Sequence, residues 1–163
     1  MEKRLLGGLM AGVDAVVWMS GRLGFAGKVA YAPTRVAVVQ PGNVVDRDAS
    51  VILASARVLL AVTPLTTGAD GAMPPMSLHV GAGAGLVSRI GGVWSYASGH
   101  TSSALVLNLG LQTPAGPRAV MRIELEDYIS RVQFNAGAPG ETAAQKHHDV
   151  VLSLSLCYRV RGR

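Results

Sequence analysis

The sequence predicts an all-β protein: an antiparallel up-and-down β-barrel of transmembrane type, with residues 1–163 forming a single domain. The first observation is that apolar residues alternate at period two with small or polar residues in seven segments, each bounded by residues typical of turns. The second is composition, since the 163 residues are 49% hydrophobic and only 15% charged, which argues against a disordered chain. No apolar run of about 18 residues predicts a transmembrane helix.

The clearest strand follows His147–Asp149 near the C-terminal end. Its apolar face comprises Leu152, Leu154, Leu156, Tyr158 and Val160. Its opposite face comprises Ser153, Ser155, Cys157 and Arg159. Because side chains alternate between the two faces of a strand, this pattern predicts a strand with one apolar side.

Six earlier segments alternate in the same way. They are residues 8–18, 23–34, 50–63, 76–88, 102–113 and 118–128, and a helix remains an alternative for the first. Bacterial membrane barrels have an even number of strands, so we predict about eight strands although only seven are counted. The eighth is expected either in a segment preceding the chain or within residues 64–75 or 129–148.

The predicted connections alternate in length. Those near residues 20–22 and 113–117 are short, whereas those at 36–49, 89–101 and 129–148 are long. Short turns on one side and long loops on the other are typical of outer-membrane barrels. The link at 64–75 is longer than this pattern predicts.

Charged side chains lie on the face opposite the apolar one. Six of them form the predicted site: Asp14, Lys28, Arg57, Arg122, Glu124 and Glu126. In a soluble barrel this face meets water, and in a membrane barrel it lines the interior. The balanced signs, the glycine-rich surroundings and the strand lengths of about 10–14 residues favour the membrane interpretation. We therefore predict paired charges that plug a narrow interior, with a polar path or gate as the alternative.

Three segments resemble small outer-membrane β-barrel proteins, in the broad OmpA-like or OmpX-like sense. They are Gly81–Gly85, Arg122–Tyr128 and His148–Val160. The resemblance implies a protein of the bacterial outer membrane with a structural or interaction role in the cell envelope and with membrane lipids as partners. Protein partners stay unknown. Met1–Ala11 imitates the start of an export signal, but Asp14 interrupts it, so we expect mature structure there.

Catalytic, metal and cofactor sites are not expected. The histidines lack metal-ligand spacing and are interpreted as lying at loop edges, and Cys157 is the only cysteine. The net charge of +5 is concentrated at the chain ends, which argues against nucleic-acid binding. Four aromatic residues are predicted to anchor the membrane interface or line loops: Trp94, Tyr96, Tyr128 and Phe134.

Three alternatives remain open at this stage. The first is a soluble barrel that binds a small apolar ligand, with its leucines inside. The second is a lipid-modifying barrel enzyme, in which His100 would be a base beside the possible nucleophiles Thr101, Ser102 and Ser103. The third is a stacked fibre, which glycine–alanine alternation permits.

Overall fold

The computed structural model describes residues 3–5, 9–33, 35–40, 43–63, 76–92, 97–98, 100–116, 119–135 and 142–158. These residues form an all-β structure. The strands are β1 (Lys3–Leu5), β2 (Ala11–Trp18), β3 (Leu23–Ala32), β4 (Arg35–Gln40), β5 (Asn43–Asp48), β6 (Ser50–Ala61), β7 (Ser77–Ile90), β8 (Ala97–Ser98), β9 (Thr101–Pro114), β10 (Ala119–Asn135) and β11 (Thr142–Tyr158). Over the described ranges, no helix is long and apolar enough to cross a membrane.

The main sheet contains seven antiparallel strands in the order β2-β3-β6-β7-β9-β10-β11. Each strand pairs with the next main-sheet strand along the chain, which confirms the all-β, up-and-down prediction. All seven predicted segments form strands, including residues 11–18, for which a helix was the alternative. The two-residue β8 adds a short pairing to β10 beside this path.

A second sheet forms within the described part of the chain, in the order β1-β4-β5. Strands β4 and β5 make a hairpin inside the link that the sequence predicted as a loop at 36–49. This hairpin separates β3 from β6 in sequence, although those two strands are neighbours in the main sheet.

Strands β10 and β11 are 17 residues long and pair from Ala119 with Tyr158 to Asn135 with Thr142. The predicted loop at 129–148 is therefore wrong over residues 129–135 and 142–148. Hydrophobic alternation fades in that region because polar residues replace apolar ones on the outer side, while backbone pairing continues. Strand β7 also extends beyond its predicted end, to Ile90.

The main sheet curls into a half-barrel. Lys28 on β3 donates a hydrogen bond to Ser153 on β11 over 3.0 Å, although these strands are five positions apart in the sheet order. In a flat sheet, five spacings of about 4.8 Å would separate them by about 24 Å. Side chains from distant strands therefore meet on the concave face.

The two faces of the curled sheet differ in chemistry. On the convex face the large apolar side chains are exposed, and Leu154, for example, is 70% accessible. On the concave face charged side chains are buried, and Glu126 is 0% accessible. This distribution is the reverse of that expected for a soluble barrel, where the apolar face is the enclosed one.

Two glycines allow the close approaches that this concave packing requires. A Cβ atom on Gly83 would meet the backbone of β6, lying 2.7 Å from the Cα atom of Arg57. A Cβ atom on Gly110 would collide with the imidazole ring of His79 on the neighbouring strand. Both positions therefore exclude larger residues unless neighbouring atoms shift.

Candidate functional site

The six charged residues predicted from the sequence come together on the concave face. Asp14 lies on β2, Lys28 on β3 and Arg57 on β6, and β10 contributes the remaining three. The three residues from β10 are Arg122, Glu124 and Glu126. Because alternate residues of a strand share one face, β10 presents all three to the interior.

Glu126 is the centre of one half of the network. Its Oε2 atom lies 2.5 Å from the Nζ atom of Lys28, and its Oε1 atom accepts a hydrogen bond from Arg57. Lys28 also donates to the hydroxyl of Ser153 over 3.0 Å. These contacts tie β3 and β6 to β10 and β11 across the concavity.

Glu124 is the centre of the other half. Its Oε1 atom accepts hydrogen bonds from Arg122 over 2.5 Å and from the Asn108 amide over 3.1 Å. The Nε2 atom of His79 lies 3.2 Å from the same oxygen, and the guanidinium of Arg57 lies 3.8 Å away. One carboxylate oxygen thus joins groups from β6, β7, β9 and β10.

Asp14 connects the edge strand β2 to this network. Its Oδ2 atom accepts a hydrogen bond from Arg122 over 2.8 Å. Its Oδ1 atom lies 3.9 Å from Arg57 Nη2, and neither of these two atoms makes a hydrogen bond within the described part of the chain. Their attraction is therefore a charge interaction without a hydrogen bond.

We call this cluster the ionic layer. It consists of Asp14, Lys28, Arg57, His79, Arg122, Glu124 and Glu126. Three carboxylates face the basic side chains of Lys28, Arg57 and Arg122, so acidic and basic side chains are equal in number apart from His79. Burial of charges is tolerated in proteins when they are paired and hydrogen-bonded in this way.

A second cluster, which we call the apolar layer, lies beside the ionic layer. It consists of Leu53, Val87, Ala104, Val106 and Tyr128. Met10, Val51 and Val151 pack against it. Tyr128 is two residues beyond Glu126 on the same face of β10, so the change from charge to apolar packing occurs within one strand.

The sequence-based interpretation of Tyr128 as an interfacial anchor or loop aromatic is wrong. Its side chain is completely buried, and its hydroxyl donates to Ser55 over 3.2 Å. The physical reason is strand phase, because Tyr128 shares the concave side with Glu124 and Glu126. Phe134 lies in β10 opposite Ala143 and Ala97, whereas Trp94 and Tyr96 lie outside the described residues.

A further ion pair lies beyond the apolar layer. The guanidinium of Arg89 is 2.5 Å from a carboxylate oxygen of Asp149 and 3.4 Å from the Ser130 hydroxyl. The sequence analysis missed Arg89 and Asp149 as site residues. The predicted strand at 76–88 ended just before Arg89, and the predicted C-terminal strand began just after Asp149. Strand phase could have found both, since Arg89 continues the series Gly81, Gly83, Gly85.

Three of the four histidines lie within strands and not at loop edges as expected. His79 is buried within β7, with its ring edge-to-face against Trp18 at a centroid distance of 6.1 Å. His147 and His148 lie within β11, where His148 Nδ1 is 2.8 Å from Asp127 on the convex side. His100 immediately precedes β9, and its carbonyl accepts a hydrogen bond from the Arg89 backbone over 2.6 Å.

The arrangement is suited to holding strands together. Within the described ranges, no group of three or more histidine, cysteine or acidic residues is placed to hold a metal ion. The carboxylates of the ionic layer are each engaged by basic side chains from other strands or from β10 itself. Such a network fixes the curl and register of the sheet.

The chain matches no protein-family model, and no curated protein is similar to it at a significant level.

Proposed function

We propose that the chain is a bacterial outer-membrane β-barrel protein, with a non-enzymatic structural or interaction role in the cell envelope. The observation that carries this proposal is the reversed polarity of the main sheet. Ionised groups fill its concave side, while leucine, isoleucine and valine side chains project from its convex side. In a membrane barrel the convex face contacts lipid hydrocarbon and the interior is polar.

The exposed apolar surface is continuous. Leu109, Leu125 and Leu152 are exposed cross-strand neighbours on β9, β10 and β11, and the adjacent row contains the half-buried Leu111 and the exposed Ile123 and Leu154. Burying one such side chain contributes about 1.5–3 kcal/mol relative to leaving it in water. Large contiguous apolar patches on protein surfaces indicate contact with a membrane or another protein.

The dimensions of this surface support lipid contact. From Val150 to Tyr158 the convex side chains of β11 are apolar, and these nine residues extend about 27 Å along the strand at about 3.4 Å per step. At a strand tilt of about 40°, the band is about 21 Å tall, near the roughly 25 Å of outer-membrane barrels.

Polar cross-strand contacts border the apolar band at one end of the main sheet. This is the end at which β3, β7 and β10 finish and β6, β9 and β11 begin. Tyr31 donates to Ser50 over 3.2 Å, and Thr101 donates to Ser88 over 3.0 Å. Further along the same border, Asp127 lies 2.8 Å from His148. These three pairs mark the expected boundary between hydrocarbon and headgroups.

The interior supports a plug in preference to a pore. The ionic layer and the apolar layer both fill the concavity, and the side chains of a small barrel are sufficient to occupy its interior. The soluble alternative requires the leucines of the alternating strands inside, whereas Leu107, Leu125 and Leu154 are exposed on the convex face. The enzymatic alternative gains no support from Thr101, whose hydroxyl bonds to Ser88.

Refolding tests the proposal directly. The chain is diluted from urea into plain buffer, into detergent micelles and into phospholipid vesicles, and circular dichroism and size are measured. We expect a monomeric β-structure that unfolds cooperatively only when detergent or lipid is present. A folded monomer in plain buffer would refute the membrane assignment.

Two matched lysine substitutions on β9 distinguish a lipid-facing position from a position near the polar border. In vesicles, Leu107→Lys on the convex band should lose about 2–4 kcal/mol of unfolding free energy, whereas Ser103→Lys near the polar border should lose about 0–1 kcal/mol. Leu107 is 44% exposed, so in a water-soluble protein the substitution would change stability by only about 0.5 kcal/mol. Equal, small losses for both variants would contradict the proposal.

A further inference from the structure

The β10–β11 hairpin changes its convex chemistry along its length. On β10 the convex residues Met121, Ile123 and Leu125 are followed by Asp127, Ile129 and Arg131. On β11 the apolar series ends at Val150, and His148 and Lys146 follow towards the hairpin end. Arg131 lies two residues beyond Ile129, the last apolar residue before it on this face, a distance of about 7 Å along the strand.

Two cations lie directly opposite each other at this place. Arg131 pairs with Lys146 in the register of β10 and β11, and both side chains are exposed. Like charges in directly opposed positions of a sheet are destabilising. Among the described side chains neither residue forms an ion pair, and the nearby carboxylate of Asp127 already contacts His148.

We propose that Arg131 and Lys146 bind the phosphate of an anionic lipid headgroup. The inference rests on the proposed function, which places the convex leucines in hydrocarbon. Lys146 lies two residues beyond His148, which marks the proposed boundary, and at a strand tilt of about 40° this is about 5 Å along the bilayer normal. The headgroup region of a bilayer adds about 5–7 Å to each side of the hydrocarbon core, so the pair lies at headgroup depth. One phosphate between the two cations replaces their repulsion with two attractions.

The chemistry of the two side chains suits this ligand. Arginine presents a planar fork of donors that matches phosphate oxygens, and lysine supplies a mobile point charge. A lipid bound here by its headgroup would place its acyl chains along the apolar convex residues of the same hairpin. Free phosphate offers the same charge without this apolar contact, so we commit to the lipid.

Lipid selectivity in reconstituted vesicles tests the proposal. The full chain is inserted into phosphatidylcholine vesicles, and electron spin resonance measures the association of spin-labelled phosphatidylglycerol relative to spin-labelled phosphatidylcholine. We expect the wild type to prefer the anionic lipid by about fivefold. The double substitution Arg131→Gln/Lys146→Gln should reduce the preference to near unity.

Arg22→Gln is the matched control, because Arg22 is an exposed single cation at the opposite end of the sheet. This variant should keep most of the preference. Millimolar inorganic phosphate should leave the preference unchanged, and its loss there would assign the pair to free phosphate and overturn the lipid proposal. A preference that survives in the double variant, or is absent in the wild type, would also overturn it.

A failure of the proposed function can be distinguished from a failure of the lipid site. Protease protection and co-flotation with the vesicles report insertion independently of lipid selectivity. A chain that does not insert refutes the membrane assignment and the lipid site together. An inserted chain without selectivity refutes only the lipid site.

Discussion

The ionic layer and the apolar layer fill the same concavity by different physical means. Glu126 and Tyr128 are only two residues apart on β10, yet one belongs to a network of buried charges and the other to ordinary apolar packing. A charge left without its partner pays the full penalty of desolvation, whereas a truncated apolar side chain leaves a cavity. The two layers should therefore respond differently to equivalent truncations.

The largest effect is expected from Glu126→Ala. This change leaves Lys28 and Arg57 buried without their shared carboxylate, so the free energy of unfolding should fall by about 3–5 kcal/mol. Urea titration of the detergent-folded protein measures it. The control is Asp127→Asn at the next position, whose side chain lies on the convex face and should cost about 0–1 kcal/mol. Similar losses for the two variants would show that the ionic layer is not the stabilising element.

A smaller effect is expected from Leu53→Ala in the apolar layer. Leu53 is 3% exposed and packs with Val87, Val106 and Tyr128, so its truncation leaves a cavity that should cost about 2–3 kcal/mol. The same urea titration measures the loss. Combined with Glu126→Ala, the two losses should add if the layers are independent, and a strong departure from additivity would contradict their separation.

The smallest of these effects is expected from Tyr128→Phe. This variant keeps the aromatic packing and removes only the hydrogen bond to Ser55, so the loss should be about 1 kcal/mol. Tyr128→Ala is the comparison, since it also removes the ring and should cost about 3–5 kcal/mol. A Phe variant as unstable as the Ala variant would mean that the hydroxyl, and not the ring, holds this layer.

The sequence predicts most of the main sheet because period-two alternation is a local signal. All seven segments form strands, and strand phase places Asp14, Lys28 and Arg57 on the same side as the β10 charges. The signal weakened where polar residues replaced apolar ones on the outer face, which is why the predicted end of β10 came too early and the predicted start of β11 too late. Backbone hydrogen bonding continues there although the hydrophobic alternation is lost.

The individual ion pairs and hydrogen bonds within the site could not be predicted from local sequence patterns. Balanced charges predicted a paired network, but the partner of each group depends on the curl of the sheet, which brings Asp14 to Arg122 and Lys28 to Ser153. The role of His79 depends on Gly110, since the missing side chain there provides the space for its ring. Tyr128 was placed by its residue type, whereas counting alternate positions from Glu126 would have placed it inside.

The contact between Asp14 and Arg122 joins residues 108 positions apart in the chain. Such distant contacts form late in folding, since much of the chain must be ordered before they are made. Until then both groups remain hydrated, and their long-range attraction is screened by dissolved ions. Final closure of the concave face should therefore be the kinetic step most retarded by added salt.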